Sequence, residues 1–454
     1  MRKTEIKQYL RISTAVTLMG AAGVSAFLAL PLKAIGGNPP SGPVVITEAA
    51  LQPLFTTVGG APVLPTTRTV AHWWGSTLNP HNGVIYGYNM VGANPNTCSG
   101  SECDVTVTVD IIPLNVVIQG MTFYGSNVLA PTLASPLFAL NDYASTPFAT
   151  AAGAFPDLPT FIRGPGGMLS QGDAGNQLQL EDATVRAQFN NTGLSSYHLR
   201  LNPVTHDPIT IIVPGNQGML LQISNGVIVP LVNYQWWTTQ IQTFNNALAY
   251  VDPTHLPFYL TDTVLLYVQN PSNCCFGGFH GAGIVPGPPG PGHGNGDQPV
   301  QTYAWASWFR PGLWAFPDGG LQWAIQDILA IGHEIAEWAS DPFINNYVQP
   351  PQFPYAPLID DCIGPLLESG DPVFAIGFAM GTNTYDQGPN PDGTQSADGY
   401  YHAEDEAFLP WFMRLAPNNV SEPTQSPSSN IGRYTLMGDL NPFAGFHQPA
   451  SDCN

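Results

Sequence analysis

Proline and glycine occur so often along this chain that they limit which regular elements it can form. The 454 residues include 45 Pro and 47 Gly, about a fifth of the total. Proline breaks helix interiors and is excluded from central strands, and glycine weakens both kinds of element. Because 44% of the residues are hydrophobic and 11% are aromatic, the chain can still bury a sizeable core. The composition therefore predicts a folded protein with many short strands separated by turns.

The charged residues are few and mostly acidic. Asp, Glu, Lys and Arg together make up 10% of the chain, and the formal net charge is −20. Nucleic-acid binding requires clustered Lys and Arg side chains against the phosphates. We therefore expect no nucleic-acid partner.

Residues 1–34 have the layout of a secretory signal peptide. Four basic residues precede an uncharged apolar run from Ile12 to Leu32, and small residues at Ala26 and Ala34 offer cleavage points. The alternative is a retained membrane anchor, because the run is long enough to span a bilayer. We expect a secreted, extracellular or periplasmic protein with no membrane span after cleavage.

The six cysteines agree with export, because disulfides form in oxidising compartments. Cys98 and Cys103 are close enough in sequence to close a local hairpin. The other four cysteines allow three pairings, and the sequence does not choose among them: Cys274, Cys275, Cys362 and Cys453.

Hydrophobic patterning predicts an α+β fold in which a β-rich N-terminal region precedes a second domain. The expected parts are an extended lead-in at 35–67, a β-rich domain at 68–233, a second domain at 234–415 and a Pro/Asn/Ser-rich tail at 416–454. Short apolar or alternating runs predict strands at 105–112, 184–189, 209–213, 219–223, 263–268 and 302–308. Helical spacing of apolar residues predicts helices at 236–250 and 400–409, and one at 321–340 with Asp318 as N-cap.

The helix predicted at 321–340 carries the motif that indicates chemistry, His333-Glu334-Ile335-Ala336-Glu337. His333 and Glu337 are four residues apart and project from one helix face, where both can bind one cation. Glu334 lies about 100° round the helix, where it can serve as general base toward a metal-activated water. The alternative is a set of structural or vestigial polar residues. Burying three ionisable side chains on an apolar helix is costly, however, unless they are paired or bind a metal.

A tetrahedral site requires a third protein ligand, and carboxylates downstream of the helix can supply it. The main candidates are Asp371 and Glu368, which flank a glycine in a predicted turn, although ordinary turn chemistry explains them equally well. Further candidates are Asp360, Asp361 and His402.

Three other residues are considered for roles at this site. Tyr401 and His402 can donate hydrogen bonds to a transition state from the helix predicted at 400–409, unless that helix only packs in the core. His280 lies in a Gly-rich segment and either approaches the metal or hydrogen-bonds a turn.

Two short motifs resemble known families. The run HEIAEWASDPF resembles the helix motif of bacterial secreted HExxE zinc metallopeptidases, and Glu368-x-Gly-Asp371 resembles their E-x-G-D turn, whose acid is the expected third ligand. The segment around His280 is similar to the C-G-x-H-G stretch of the EXORDIUM/phosphate-induced protein family of extracellular wall proteins, whose plant members lack the HExxE residues. The resemblance covers residues 232–414 and implies a metallopeptidase-like domain, with the HExxE helix packed on a small sheet.

Two functional hypotheses follow. The first is a secreted metal-dependent hydrolase, a zinc peptidase in which His333, Glu337 and Asp371 or Glu368 bind the metal and Glu334 is the general base toward a polypeptide substrate. The carboxylate-rich ligand set leaves Mn or Ca as alternative metals. The second is a non-catalytic extracellular module that binds a wall polymer or carbohydrate and has a structural or vestigial metal site. The ten Trp and 17 Tyr residues and the low charge favour this second hypothesis.

Overall fold

The structure, a computed structural model, describes most of the chain from residue 68 onward. The described ranges are 33–35, 56–58, 61–63, 68–142, 148–151, 161–164, 177–189, 197–222, 227–284, 299–310, 313, 325–354, 362–373, 376–385, 399–416, 434–436, 446 and 448–453. The expected signal peptide, apart from residues 33 and 34, and much of the expected tail lie outside these ranges.

The described chain is a mixed α and β structure with many strands and few helices. The helices are α1 Leu129–Ala134, α2 Leu180–Phe189, α3 Tyr234–Ala247, α4 Leu329–Ser340 and α5 Leu409–Phe412. The strands are β1 Lys33–Ile35, β2 Thr56–Val58, β3 Ala61–Val63, β4 His72–Leu78, β5 Ile85–Val91, β6 Asp104–Ile118, β7 Met121–Tyr124, β8 Asn141–Asp142, β9 Phe148–Ala151, β10 Phe161–Gly164, β11 Gln177–Leu178, β12 His198–Thr205, β13 Ile209–Ile212, β14 Gly218–Gln222, β15 Ile228–Asn233, β16 Leu256–Asp262, β17 Leu265–Tyr267, β18 Cys274–Phe276, β19 Gly278–Ile284, β20 Val300–Trp308, β21 Gly377–Met380 and β22 Tyr401–Glu404. This mixture of strands and helices confirms the fold class at that coarse level.

A seven-stranded sheet forms the centre of the molecule. Its main order is β12-β6-β16-β20-β19, and β7 and β13 pair with the second half of the long strand β6. Strands β12, β6, β16 and β20 run parallel, and β19 closes one edge as an antiparallel strand. Strands β16 and β20 are buried along their whole length, as expected for parallel strands covered on both faces.

Helices cover the two faces of this sheet. Alternate residues of a strand point to opposite faces, and on β16 Phe258 packs in the same core as Trp338 of α4. The next residue, Tyr259, packs in a second core with Trp237 of α3 and donates a hydrogen bond to Asn245 of that helix at 2.9 Å. The sheet is therefore the middle of three layers, with α4 on one face and α3 on the other.

Smaller sheets surround this core. A five-stranded sheet has the order β1-β14-β15-β17-β18, and a four-stranded sheet has the order β10-β9-β21-β22. Three two-stranded pairs complete the described strands: β2-β3, β4-β5 and β8-β11.

The central sheet takes strands from both sides of the boundary expected at residue 233. Strands β6 and β12 precede it, and β16, β19 and β20 follow it. One hydrophobic cluster also joins the two segments, since Val109 and Leu199 belong to the same core as Ile335.

The strand predicted at 184–189 is wrong in type, and the helix predicted at 321–340 is wrong in extent. Residues 184–189 form the second half of helix α2, whose first turn holds two acids, Glu181 and Asp182, that favour a helix N-terminus. Helix α4 begins at Leu329, because Asp327 adopts a positive φ of 38° and pairs with Phe309 as an isolated bridge. The predicted N-cap Asp318 lies outside the described residues.

The helix predicted at 400–409 is also wrong. Residues 401–404 form β22, which pairs antiparallel with β21, so pairing to another strand decides the local conformation. A short helix, α5, starts only at Leu409, with Pro410 in its first turn.

The cysteines pair as Cys98–Cys103, Cys274–Cys275 and Cys362–Cys453. The first pair is the local one that the sequence suggested. Among the described helices, none is long and apolar enough to cross a membrane.

Candidate metal centre

Helix α4 carries its three ionisable motif residues into the protein interior. It contacts β19 and β20 of the central sheet and also β22. His333, Glu334 and Glu337 each have 0% exposed surface. Charged groups without exposed surface need partners or a bound cation, because bulk solvent does not compensate their charge.

The first group of possible ligands consists of His333, Glu337 and Asp371. His333 Nε2 lies 3.1 Å from Glu337 Oε1, as their spacing of four residues along one helix predicts. Asp371 begins a single turn of 3-10 helix after Gly370. One ligand atom from each of the three residues lies within 4.8 Å of the others, which is close enough for one cation to bind all three.

Glu404, at the end of β22, holds the ring of His333. Its Oε2 accepts a hydrogen bond from His333 Nδ1, and both side chains are fully buried. A carboxylate bonded to one ring nitrogen orients the other nitrogen, here Nε2, toward a metal and makes it more basic. Burial alone would lower the pKa of His333, but the Glu337 and Glu404 carboxylates raise it well above its ordinary value.

The second group consists of His280, Glu334 and Glu337. His280 stands on the antiparallel edge strand β19, and its Nδ1 lies 3.5 Å from Glu334 Oε2 and 3.7 Å from Glu337 Oε2. Its Nε2 lies 3.2 Å from the carbonyl oxygen of Asp341, to which it donates. One ligand atom from each of these three residues again lies within 4.8 Å of the others.

The pKa values of the buried carboxylates are shifted in different directions. Burial and then repulsion from Glu337 raise the pKa of Glu334 and of Glu368 well above the ordinary value. Burial also raises the pKa of Glu337, but its contacts with His333 outweigh burial and lower it. Glu368 lies at the edge of the cluster, with Oε2 4.0 Å from His280 Nε2.

Five arginines have bonds to partners outside this cluster. The described guanidinium groups each have a partner elsewhere: Arg68 on Asp252, Arg186 on the Tyr197 carbonyl, Arg200 on Asp104, Arg310 on Asp262 and Arg414 on Asp452. None of these five contacts offsets the negative charge that the cluster carries when its carboxylates are ionised.

Two glycines let the backbone approach the site. A Cβ atom at Gly278 on β19 would overlap the Glu334 carboxylate, and one at Gly370 would overlap the His333 ring. The close packing at each position therefore requires glycine, which has no side chain.

Tyr401 and His402 do not join either group. His402 Nδ1 lies 2.7 Å from Asp327 Oδ2, and its backbone N–H donates to Asp327 Oδ1. The Tyr401 ring packs edge-on against Trp308. Both side chains therefore contact segments next to α4 rather than the predicted ligands, and the candidates Asp360 and Asp361 lie outside the described residues.

Sequence reasoning missed Glu404 and left the role of His280 open. The available signal for Glu404 was its place in a cluster of glutamates between 334 and 406. The helix predicted at 400–409 conceals the period-2 alternation that places Glu404 beside α4.

The chain matches no protein-family model, no curated protein and no solved structure. A function is assigned from the chemistry of individual side chains, because one fold can serve many functions. The buried histidines and carboxylates are accordingly the basis on which a function is assigned.

Proposed function

We propose that this protein is a metal-dependent hydrolase acting on peptide bonds, with a cation held by His333, Glu337 and Asp371. The observation that carries this proposal is the arrangement of His333. Its Nε2 stands beside Glu337 Oε1, and its Nδ1 is bonded to a buried carboxylate, Glu404. This carboxylate–histidine pair is the usual support for a metal ligand.

A bound divalent cation would polarise a substrate carbonyl and lower the pKa of water. Glu334 would act as the general base that accepts a proton from that water. Among the described residues, neither of its carboxylate oxygens has a hydrogen-bond partner, so either can accept a proton. Because burial raises its pKa well above the ordinary value, Glu334 is a stronger base than an exposed glutamate, as general-base catalysis near neutral pH requires.

The ligand set indicates which metals can bind, and the motif resemblance indicates the substrate class. Zinc suits a histidine with two carboxylates, while the oxygen-rich set also accepts Mn or Ca. The similarity of HEIAEWASDPF to metallopeptidase motifs favours a polypeptide substrate. Three disulfides support an extracellular or periplasmic location.

The test is the substitution Glu334→Gln, which keeps size and removes the base. We expect hydrolysis of an unfolded protein substrate such as casein to fall at least about 100-fold, while the cation at His333 remains bound. His333→Ala is expected to lose both metal and activity. The matched control is Glu102→Gln, because Glu102 is exposed in a 3-10 turn and belongs to neither group of possible ligands.

Equal activity of wild type and Glu334→Gln would contradict the proposed role of Glu334. If both bind metal and neither hydrolyses any peptide, the site is structural. The non-catalytic polymer-binding function would then replace the hydrolase.

A further inference from the structure

We propose that the cluster binds two divalent cations bridged by Glu337. The proposal rests on the proposed function for the first cation, at His333, Glu337 and Asp371. It adds a second cation position formed by His280, Glu334 and Glu337.

The two oxygens of Glu337 face two different histidines. Oε1 lies 3.1 Å from His333 Nε2, and Oε2 lies 3.7 Å from His280 Nδ1. A carboxylate that presents one oxygen to each of two metal ligands has the orientation of a bridging ligand. Paired hydrolytic metals lie about 3.5–4 Å apart, a separation that one carboxylate can span.

His280 is bonded in a way that leaves a lone pair pointing at two carboxylates. Because Nε2 is taken up by the Asp341 carbonyl, Nδ1 is the ring nitrogen that is left to bind a cation. It faces Oε2 of Glu334 and Oε2 of Glu337, at 3.5 and 3.7 Å. A cation placed between these three acceptor atoms would be bound by all of them.

The groups in this second position are buried and lack ordinary partners. His280 is 1% exposed and Glu334 is 0% exposed. Within the described part of the chain, His280 Nδ1 and both Glu334 oxygens have no hydrogen-bond partner. Buried polar atoms are rarely left in that condition, so their convergence points to a bound ligand.

Charge also favours two cations. Four carboxylates surround the two histidines: Glu334, Glu337, Glu368 and Asp371. A buried carboxylate that is ionised needs a compensating charge close by, and a cation at each position would supply one.

The histidines of the two positions have matching supports. His333 is oriented by the Glu404 carboxylate, and His280 is oriented by the Asp341 carbonyl. With both cations bound, Glu334 is a ligand of the second cation through Oε2, and its role as general base belongs to the form with one cation.

The test is manganese stoichiometry together with electron paramagnetic resonance of the full-length protein, stripped with a chelator and reloaded with Mn²⁺. We expect about two equivalents per chain in the wild type and the broadened spectrum of a coupled pair. His280→Ala is expected to bind about one equivalent, with the six-line spectrum of an isolated ion. The control His81→Ala alters an exposed histidine and should keep both ions.

Glu334→Gln provides a second variant if His280→Ala fails to fold by circular dichroism, and it too should bind about one equivalent. One equivalent with an isolated-ion spectrum in wild type, unchanged in His280→Ala, would overturn the two-cation proposal and leave the one-metal hydrolase standing. No bound metal in the wild type, with Mn²⁺ or with Zn²⁺, would overturn both proposals.

Discussion

Replacing Glu404 by Gln removes the negative charge behind His333 and should weaken metal binding without touching a metal ligand. Glu404 Oε2 accepts from His333 Nδ1 at a site where both side chains have 0% exposure. Gln keeps the shape and an acceptor oxygen. It no longer makes Nε2 more basic through the ring, so Nε2 becomes a poorer ligand.

The size of the effect follows from the supporting role of this contact. Loss of such a partner weakens metal affinity about 10–100-fold, which equals about 1.4–2.7 kcal/mol. At a metal concentration 100 times the wild-type Kd, binding stabilises the wild type by about 2.7 kcal/mol. A variant that binds 100-fold more weakly gains only about 0.4 kcal/mol at that concentration. No water competes at this buried contact, so we expect a value in the upper half of the range.

The assay is a metal titration against a chromophoric chelator, together with urea unfolding at fixed metal concentration. The matched control is Glu406→Gln, two residues along the chain. Burial raises the pKa of Glu406 well above the ordinary value, so an amide there replaces a neutral carboxyl group. Equal Kd values for wild type, Glu404→Gln and Glu406→Gln would refute the role assigned to Glu404.

Two further predictions concern the same region. Gly370→Ala places a Cβ against the His333 ring and should lower the free energy of unfolding in urea by about 1–3 kcal/mol. The control Gly364→Ala places its Cβ in open space and should change that free energy by no more than about 0.5 kcal/mol. Equal losses in the two variants would count against the close approach of Gly370 to His333. Burial raises the pKa of Asp341 from 3.8 to about 7, so the native state holds this proton over a window where the unfolded state has released it. Its contribution to stability is therefore complete below pH 3.8 and is lost as the pH rises to about 7. In chelator, Asp341→Asn should gain stability relative to wild type across that window, by at most about 4 kcal/mol, and parallel unfolding curves would contradict this.

The part of the site that lies within one helix could be predicted from the sequence. His333 and Glu337 fall on one face of α4 because four residues complete slightly more than one helical turn. Asp371 was one of several downstream candidates for the third ligand, and the resemblance to an E-x-G-D turn favoured it; no local rule brings a turn 34 residues away back to the helix.

The parts contributed by strands could not be predicted. His280 reaches Glu334 because β19 lies at the edge of the sheet beside β20, and neighbouring strands depend on the whole topology. Glu404 depends on the pairing of β22 with β21, which overrides the helix-like pattern of residues 400–409. Strands with a clear apolar run, such as β13 and β20, were located within two residues of their observed ends.

The complete burial of the α4 ligands has a consequence for the kinetics of metal exchange. His333 and Glu337 have no exposed surface and Asp371 is only partly exposed, so a chelator, like a polypeptide substrate, has little access to an ion between them while α4 stays packed on β19. Release must wait for a local opening of that contact. The rate of metal loss would then be independent of chelator concentration and would increase with denaturant, so that a simple absorbance trace measures how often the core of this protein opens.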